Sequence, residues 1–226
     1  MKDMKLPPYI GENYNTYKIL LVGESHYNSL PLTEDKKFVF RNWYTTSITL
    51  ENNEFFNQFN TTYQVNYYLN GGKGLYAIYR FPDKVLSRIF GIPEKKAFTY
   101  TSFYNYFQRP NMTKGTFTLC DEIHLPHKDY EYKFAIKAFY MLIFELKPNI
   151  IFFLSKKAFN HFKNDATSYI PAHLKYASAT VIDLVHPASA WWFKDNGSHG
   201  DKKMENALRE FFHIKEKDFH VKTNGL

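Results

Sequence analysis

The run Lys18-Ile19-Leu20-Leu21-Val22 and the polar segment that follows it, Gly23-Glu24-Ser25-His26-Tyr27, decide the fold that the sequence predicts. The first half is a short apolar run, which is typical of a strand buried on both faces of a parallel sheet. The second half becomes polar at a glycine. Ligands of such sheets bind beyond the carboxyl ends of the strands. Residues 18–27 therefore predict both a central strand and the beginning of a binding site.

Further segments predict the rest of the sheet and the helices around it. Asn149–Leu154 and Ala179–Val185 are apolar runs that we expect to be buried strands, and Phe98–Tyr104 is a fourth candidate strand. The segments with helical spacing are Asp83–Phe90, Tyr132–Leu146, Ser155–Phe162 and Asp201–Phe212. Residues 52–72 have no clean period, so we expect them to be irregular or loosely helical. This alternation predicts one α/β domain over residues 1–226, with three α/β/α layers and a central, mainly parallel sheet.

The composition limits the cellular location and the classes of partner that we expect. The 226 residues carry a formal net charge of +7, and 19% of them are aromatic. The single cysteine, Cys120, excludes an internal disulfide and fits a reducing, cytoplasmic location. Residues 1–8 lack the apolar core of a signal peptide, and the apolar stretch Phe134–Leu154 is interrupted by charges and a proline, so we expect no membrane association. A basic chain with many rings suits nucleic acid.

Polar residues follow two more of the predicted strands. Asn105-Tyr106-Phe107-Gln108-Arg109-Pro110 follows the strand at 98–104, and His186-Pro187-Ala188-Ser189-Ala190-Trp191-Trp192 follows the strand at 179–185. Either segment alone is ordinary for a loop. Because parallel strands end at one edge of their sheet, we expect both to lie close to Gly23–Tyr27. The three segments together predict one site.

In combination, the segments resemble the uracil-DNA glycosylase superfamily. Gly23–Tyr27 stands where that family has a Gly-led motif of the form G-Q-D-P-Y-H, G-E-A-P-G or G-[IM]-N-P-G, and His186–Ser189 is similar to its H-P-S-P-L-S motif. Phe103–Pro110 resembles a strand that ends in Asn before a segment like V-K-C-R-P. Lys147–Ala158 resembles the strand–helix pattern P-[KR]-h-h-h-h-L-G-x-x-A, where h is apolar. The order and spacing of these short motifs, from about Lys18 to Trp192, carry the resemblance.

The resemblance implies a fold of the uracil-DNA glycosylase type and a DNA-repair hydrolase. Such an enzyme cleaves the N-glycosidic bond of uracil or another deaminated base in single- or double-stranded DNA, as a monomer and without cofactor or metal. His186 would donate a hydrogen bond to the base carbonyl oxygen as it becomes anionic. Glu24 matches the Glu of the G-E-A-P-G form and would position the attacking water.

The same resemblance implies the substrate-binding residues. Asn105 would read the edge of the flipped base, because an amide offers both a donor and an acceptor. Tyr27 would exclude the thymine methyl group, Ser189 would hold a backbone phosphate, and Trp191 or Trp192 would enter the emptied base stack. The remaining residues of the first motif, Gly23, Ser25 and His26, would complete the substrate-binding loop.

Departures from the family pattern leave alternatives open. Ser25 stands where the best-known members have a water-activating Asp or Asn, which favours a non-catalytic nucleic-acid-binding member of the same fold. Gly23–His26 also resembles the G-x-x-H element of the erythromycin-esterase and Tiki-like hydrolases. A third alternative is a zinc site, because Cys120, His124 and His127 form a C-x3-H-x2-H pattern.

Overall fold

Five strands form one sheet in the computed structural model, which describes residues 4–26, 42–44, 58–72, 76–110, 128–165, 179–193 and 199–214. The strands are β1 (Tyr9–Ile10), β2 (Ile19–Gly23), β3 (Thr101–Asn105), β4 (Ile150–Phe153) and β5 (Thr180–Asp183). The α-helices in these ranges are α1 (Tyr14–Tyr17), α2 (Thr61–Leu69), α3 (Ala77–Phe90), α4 (Lys128–Leu146), α5 (Lys156–Asp165) and α6 (Gly200–Phe211). A 3-10 helix, Ala97–Tyr100, leads directly into β3.

The sheet is mainly parallel, as predicted. Its strand order is β1-β3-β2-β4-β5, and only β1 pairs antiparallel, with β3. The four parallel strands therefore end at one edge. The connection from β2 to β3 leads one way along the sheet, and the connection from β4 to β5 leads the other way. The crevice beyond the ends of β2 and β4 is thus the position at which doubly wound sheets bind ligands.

Helices cover both faces of the sheet. Ile19 and Leu21 of β2 face one apolar core, which includes buried residues of α2, α3 and α6. Leu20 and Val22 face a second core, which includes buried residues of α4 and α5. All residues of β2 are buried, and this cover on both sides explains why its sequence is apolar without alternation. The α/β class and the three layers are confirmed.

Helix α4 begins at Lys128 rather than at the predicted Tyr132, α1 was not predicted, and two further helical segments differ more. The helix predicted to start at Asp83 begins at Ala77 and runs through Pro82. Proline removes one helical hydrogen bond and therefore signals a boundary in sequence, but Tyr79 and Pro82 are buried in the core, and their packing holds the helix together. The segment predicted to be irregular contains α2, which begins where the side chain of Asn60 accepts a hydrogen bond from the backbone of Tyr63.

Strand β1 was not predicted, and two of the predicted strands differ in the structure. β3 begins at Thr101 rather than at Phe98, because residues 97–100 form a 3-10 turn. β5 is not buried along its length: Thr180 is exposed and Val181 is 37% exposed. β5 has a strand neighbour on one side only, since it is the last strand of the described sheet, and an edge strand is less covered than a central one.

Within the described ranges, no helix has both the length and the apolarity that crossing a bilayer requires.

Candidate functional site

Gly23 and Asn105 lie side by side at the ends of β2 and β3, where the parallel register pairs them. A Cβ atom on Gly23 would lie 2.5 Å from Oδ1 of Asn105 and 2.9 Å from the ring of Phe103. Both distances are shorter than real Cβ contacts allow. Glycine is therefore required here by close approach, because the amide of Asn105 occupies the space that a side chain would need.

The amide of Asn105 is hydrogen-bonded to His26. Its Nδ2 atom donates to Nε2 of His26 at 2.9 Å, and Oγ1 of Thr61 at the start of α2 lies 3.1 Å from the same ring nitrogen. Because Nε2 accepts from an amide nitrogen, the neutral imidazole carries its proton on Nδ1. Burial lowers the pKa of His26 to about 4, which keeps the ring uncharged at neutral pH. Asn105 is only 3% exposed, so this contact fixes its orientation.

Glu24 lies at the crevice between β2 and β4. Its carboxylate accepts a hydrogen bond from Oγ of Ser155 at 2.8 Å and lies 3.5 Å from Nζ of Lys157. Ser155 also caps α5, since its Oγ accepts from the backbone N–H of Ala158 at 3.3 Å. The carboxylate thus lies at the positive end of the α5 dipole, held from two sides. Its side chain keeps 17% exposure, so its remaining surface faces solvent.

His186 lies beyond the end of β5, within the electrostatic reach of Glu24. Its Nδ1 atom accepts a hydrogen bond from the backbone N–H of Ala188 at 3.1 Å. Desolvation by burial lowers the pKa of His186, although the nearby charge of Glu24 opposes that shift. A neutral ring that accepts at Nδ1 carries its proton on Nε2. His186 is therefore a neutral hydrogen-bond donor at the edge of the sheet where Glu24 lies.

Two tight turns follow His186, and they give the adjacent residues Trp191 and Trp192 different degrees of burial. The backbone N–H of Ser189 donates to the carbonyl of His186 at 2.8 Å, and the N–H of Trp192 donates to the carbonyl of Ser189 at 2.9 Å. Oγ of Ser189 accepts from the N–H of Trp191 at 3.2 Å and keeps its own proton for donation. Trp192 is fully buried, whereas Trp191 is 54% exposed. Of these two rings only Trp191 is exposed, and it stacks on the ring of His199 with the centroids 6.2 Å apart.

The remaining predicted site residues divide into buried and undescribed ones. Ser25, predicted for the substrate-binding loop, is 5% exposed, so little of it is accessible to a substrate. Tyr27 lies outside the described residues, as do Cys120, His124 and His127 of the alternative zinc pattern. Within the described part of the chain, no three His, Cys, Asp or Glu side chains come together as a metal-binding group.

Sequence reasoning did not single out three residues that shape the site. Ser155 and Lys157 hold Glu24. The sequence does indicate Ser155, because a serine between a strand and a helix is typical of a helix start. Thr61 contacts His26 from α2, across 35 positions of sequence. No local pattern could have found Thr61, because only the packing of α2 brings it there.

The polar side chains that follow Asn105 are buried rather than exposed to solvent. Gln108 is fully buried, where it accepts from the backbone of Leu6 at 2.9 Å and donates to the carbonyl of Asn105 at 2.8 Å. Arg109 forms a buried ion pair with Glu131 of α4 at 2.6 Å. These polar residues, which the sequence places after a strand, anchor the end of β3 and so help to hold Asn105 in position.

A scan against protein-family models found no match to this chain, and a search of curated protein sequences found none either.

Proposed function

We propose that the protein is a DNA glycosylase of the uracil-DNA glycosylase type, which hydrolyses the N-glycosidic bond of uracil or another deaminated base. The observation that carries this proposal is the pair formed by Glu24 and neutral His186 at one edge of the sheet. A carboxylate can position the attacking water, and an uncharged imidazole can donate a hydrogen bond to the leaving base. The order of the motifs along the chain supports the same assignment.

In the proposed reaction, a water molecule attacks C1′ of the deoxyribose while the bond from C1′ to the base nitrogen breaks. The electron pair of that bond moves onto the base, and negative charge develops on its carbonyl oxygen. The Nε2 proton of His186 stabilises this oxygen through a hydrogen bond, which strengthens as the charge grows. Donation from a neutral ring avoids placing a second cation beside the cationic sugar.

Glu24 orients the attacking water and stabilises the positive charge on the sugar. The contacts from Ser155 and Lys157 restrict its carboxylate to one position, which provides the alignment that an attacking water needs. The water proton leaves with the base, so the products are the free base and an abasic deoxyribose. The net charge of +7 suits a polyanionic substrate.

Abasic-site formation on labelled oligonucleotides tests the proposal. Each oligonucleotide carries one uracil, hypoxanthine or xanthine, in single- and double-stranded form, and the assay contains a chelator. We expect the wild-type protein to cleave one of these bases, and we expect Glu24→Gln and His186→Gln each to lower the rate about 100-fold or more. Glutamine keeps the size of the side chain in both variants.

Glu210→Gln serves as the matched control, because Glu210 is an exposed carboxylate of α6. It should cleave at the wild-type rate. Absence of cleavage by the wild-type protein on all three bases would contradict the proposal, and so would equal rates in wild type and Glu24→Gln.

A second candidate function is binding without catalysis, by the same fold. The observation that favours it is Ser25, a buried hydroxyl that stands where the best-known members of the family have a water-activating Asp or Asn. Salt-sensitive retention of the same oligonucleotides without any cleavage would select this function.

A further inference from the structure

Two exposed aromatic rings flank the buried Trp192 after the His186 turn. Trp191 and Phe193 are each 54% exposed. Trp192 between them is fully buried, and its ring packs against Gly200 at the start of α6, in the space that a Cβ atom would fill. This buried ring anchors the turn. Exposed aromatic surface marks an interaction site only where it is contiguous, so the neighbours of Phe193 decide what its exposure means.

The ring of Phe193 packs against helix α3. Its ring meets the ring of Phe81 edge-on, with the centroids 4.5 Å apart. The guanidinium of Arg80 lies 4.7 Å from the centroid of the Phe81 ring. We call Phe81 and Phe193 the aromatic patch. Arg80 is the cation beside it, and it forms no ion pair with a carboxylate in the part of the chain that the structure describes.

The aromatic patch borders the candidate site. Ile78, one helical turn before Phe81, lies so close to Gly23 that a Cβ atom there would be 3.2 Å from its Cδ1. On the other side, Trp191 and Phe193 follow His186 through two turns. The patch is therefore connected to the catalytic pair through both α3 and the His186 turn.

We propose that the aromatic patch and Arg80 bind an unpaired nucleobase and its phosphate next to the excised base, so that the substrate class is single-stranded DNA. The faces of bases in a duplex are covered by their neighbours, whereas the bases of a single strand offer theirs to aromatic rings. Arg80 supplies the charge that a phosphate requires. The inference rests on the proposed function for the identity of the nucleic acid as DNA, but not for catalysis.

Fluorescence anisotropy with a labelled thymine homopolymer, alone and annealed to its complement, tests this inference. Thymine is used because it is not a deaminated base, so binding is measured apart from cleavage. We expect the wild-type protein to bind the single strand more tightly than the duplex. Phe193→Ala should weaken single-strand binding about tenfold and leave duplex binding unchanged. Arg80→Gln should lower the slope of log affinity against log salt by about 0.7, the value for one phosphate of a single strand.

Phe144→Ala is the matched control, because Phe144 on α4 is also 54% exposed but lies on the helix layer of the opposite sheet face. It should bind as wild type does. Equal wild-type affinity for strand and duplex would overturn the inference, and so would a Phe193→Ala variant that binds within twofold of wild type. If uracil is never cleaved but Phe193→Ala still loses single-strand binding, the proposed function fails and this inference stands. If wild type and Phe193→Ala cleave single strands and duplexes with the same preference, the inference fails alone.

Discussion

Gly23, Asn105 and His26 form a chain of contacts in which each residue fixes the next. The absence of a side chain at Gly23 makes room for the Asn105 amide, and this amide then donates to the ring of His26. The ring is neutral and has one available lone pair at Nε2. A change at any of the three residues should therefore be felt at the other two.

Gly23→Ala tests this chain of contacts. The new methyl group would have to displace Asn105 or the ring of Phe103, and overpacking of this kind costs about 1–3 kcal/mol. We expect the free energy of unfolding in urea to fall by that amount. We also expect cleavage to fall at least tenfold, since the displaced amide lies at the site.

Gly91→Ala separates stability from activity in this experiment. Gly91 ends α3 with a φ of 62°, where alanine is strained by about 1–2 kcal/mol, but no atom lies within 4 Å of its Cβ position. It should lose comparable stability and keep full cleavage. Equal loss of cleavage in the two variants would mean that instability alone explains the effect of Gly23→Ala.

The junction between β4 and α5 is the element that positions Glu24. Ser155 ends the strand connection and begins the helix, and it uses its one hydroxyl twice, accepting from Ala158 and donating to Glu24. Lys157 follows two residues later on the first turn of α5. The start of α5 therefore combines a cap, a dipole and a cation around one carboxylate.

Ser155→Ala should affect both the helix and the reaction. Loss of the cap costs about 1 kcal/mol of stability, and loss of the contact to Glu24 frees the carboxylate, so we expect cleavage to fall about tenfold. Ser155→Thr keeps the hydroxyl and should retain most of both properties. Thermal melting and the rate of abasic-site formation measure the two effects, and a Ser155→Thr variant as impaired as Ser155→Ala would rule out the hydroxyl as their cause.

At the scale of the whole molecule, the burial of His26 links global stability to pH. The pKa of His26 in the folded protein is about 4, below the value of about 6.5 for a free histidine. Between these two values the unfolded chain binds a proton that the folded protein does not. The free energy of unfolding therefore falls as the pH is lowered from about 6.5 to 4, by about 3 kcal/mol from this residue.

Chemical denaturation of wild type and His26→Gln between about pH 6.5 and 4 measures the contribution of His26 to the free energy of unfolding. Glutamine does not titrate, so the stability of His26→Gln should decline about 3 kcal/mol less than that of wild type over the same interval. The other ionisable groups are common to both proteins, and their contributions cancel in the difference. Parallel curves for the two proteins would show that His26 is not buried in neutral form.

Local sequence was most informative about the central strands and least informative about the boundaries. The apolar runs around Leu20 and Ile151 predicted β2 and β4 within one residue at each end, because strands covered on both faces favour apolar side chains along their length. Pro82 misplaced the start of α3, since the penalty of proline is local and the packing that offsets it is not. The exposure of Val181 was missed because a run of β-branched residues is the same on an edge strand as on a central one.

The sequence by itself determined the α/β class, the parallel strands and the positions of Gly23, Glu24, Asn105 and His186 at or just beyond the strand ends. These features follow from patterns a few residues long. Only the tertiary structure decided that Thr61 meets His26, that Ser155 and Lys157 hold Glu24, and that Trp191 is exposed while Trp192 is buried. Such contacts join residues that are distant along the chain, or distinguish neighbours by what packs on them. They depend on how helices close over the sheet, which no short pattern encodes.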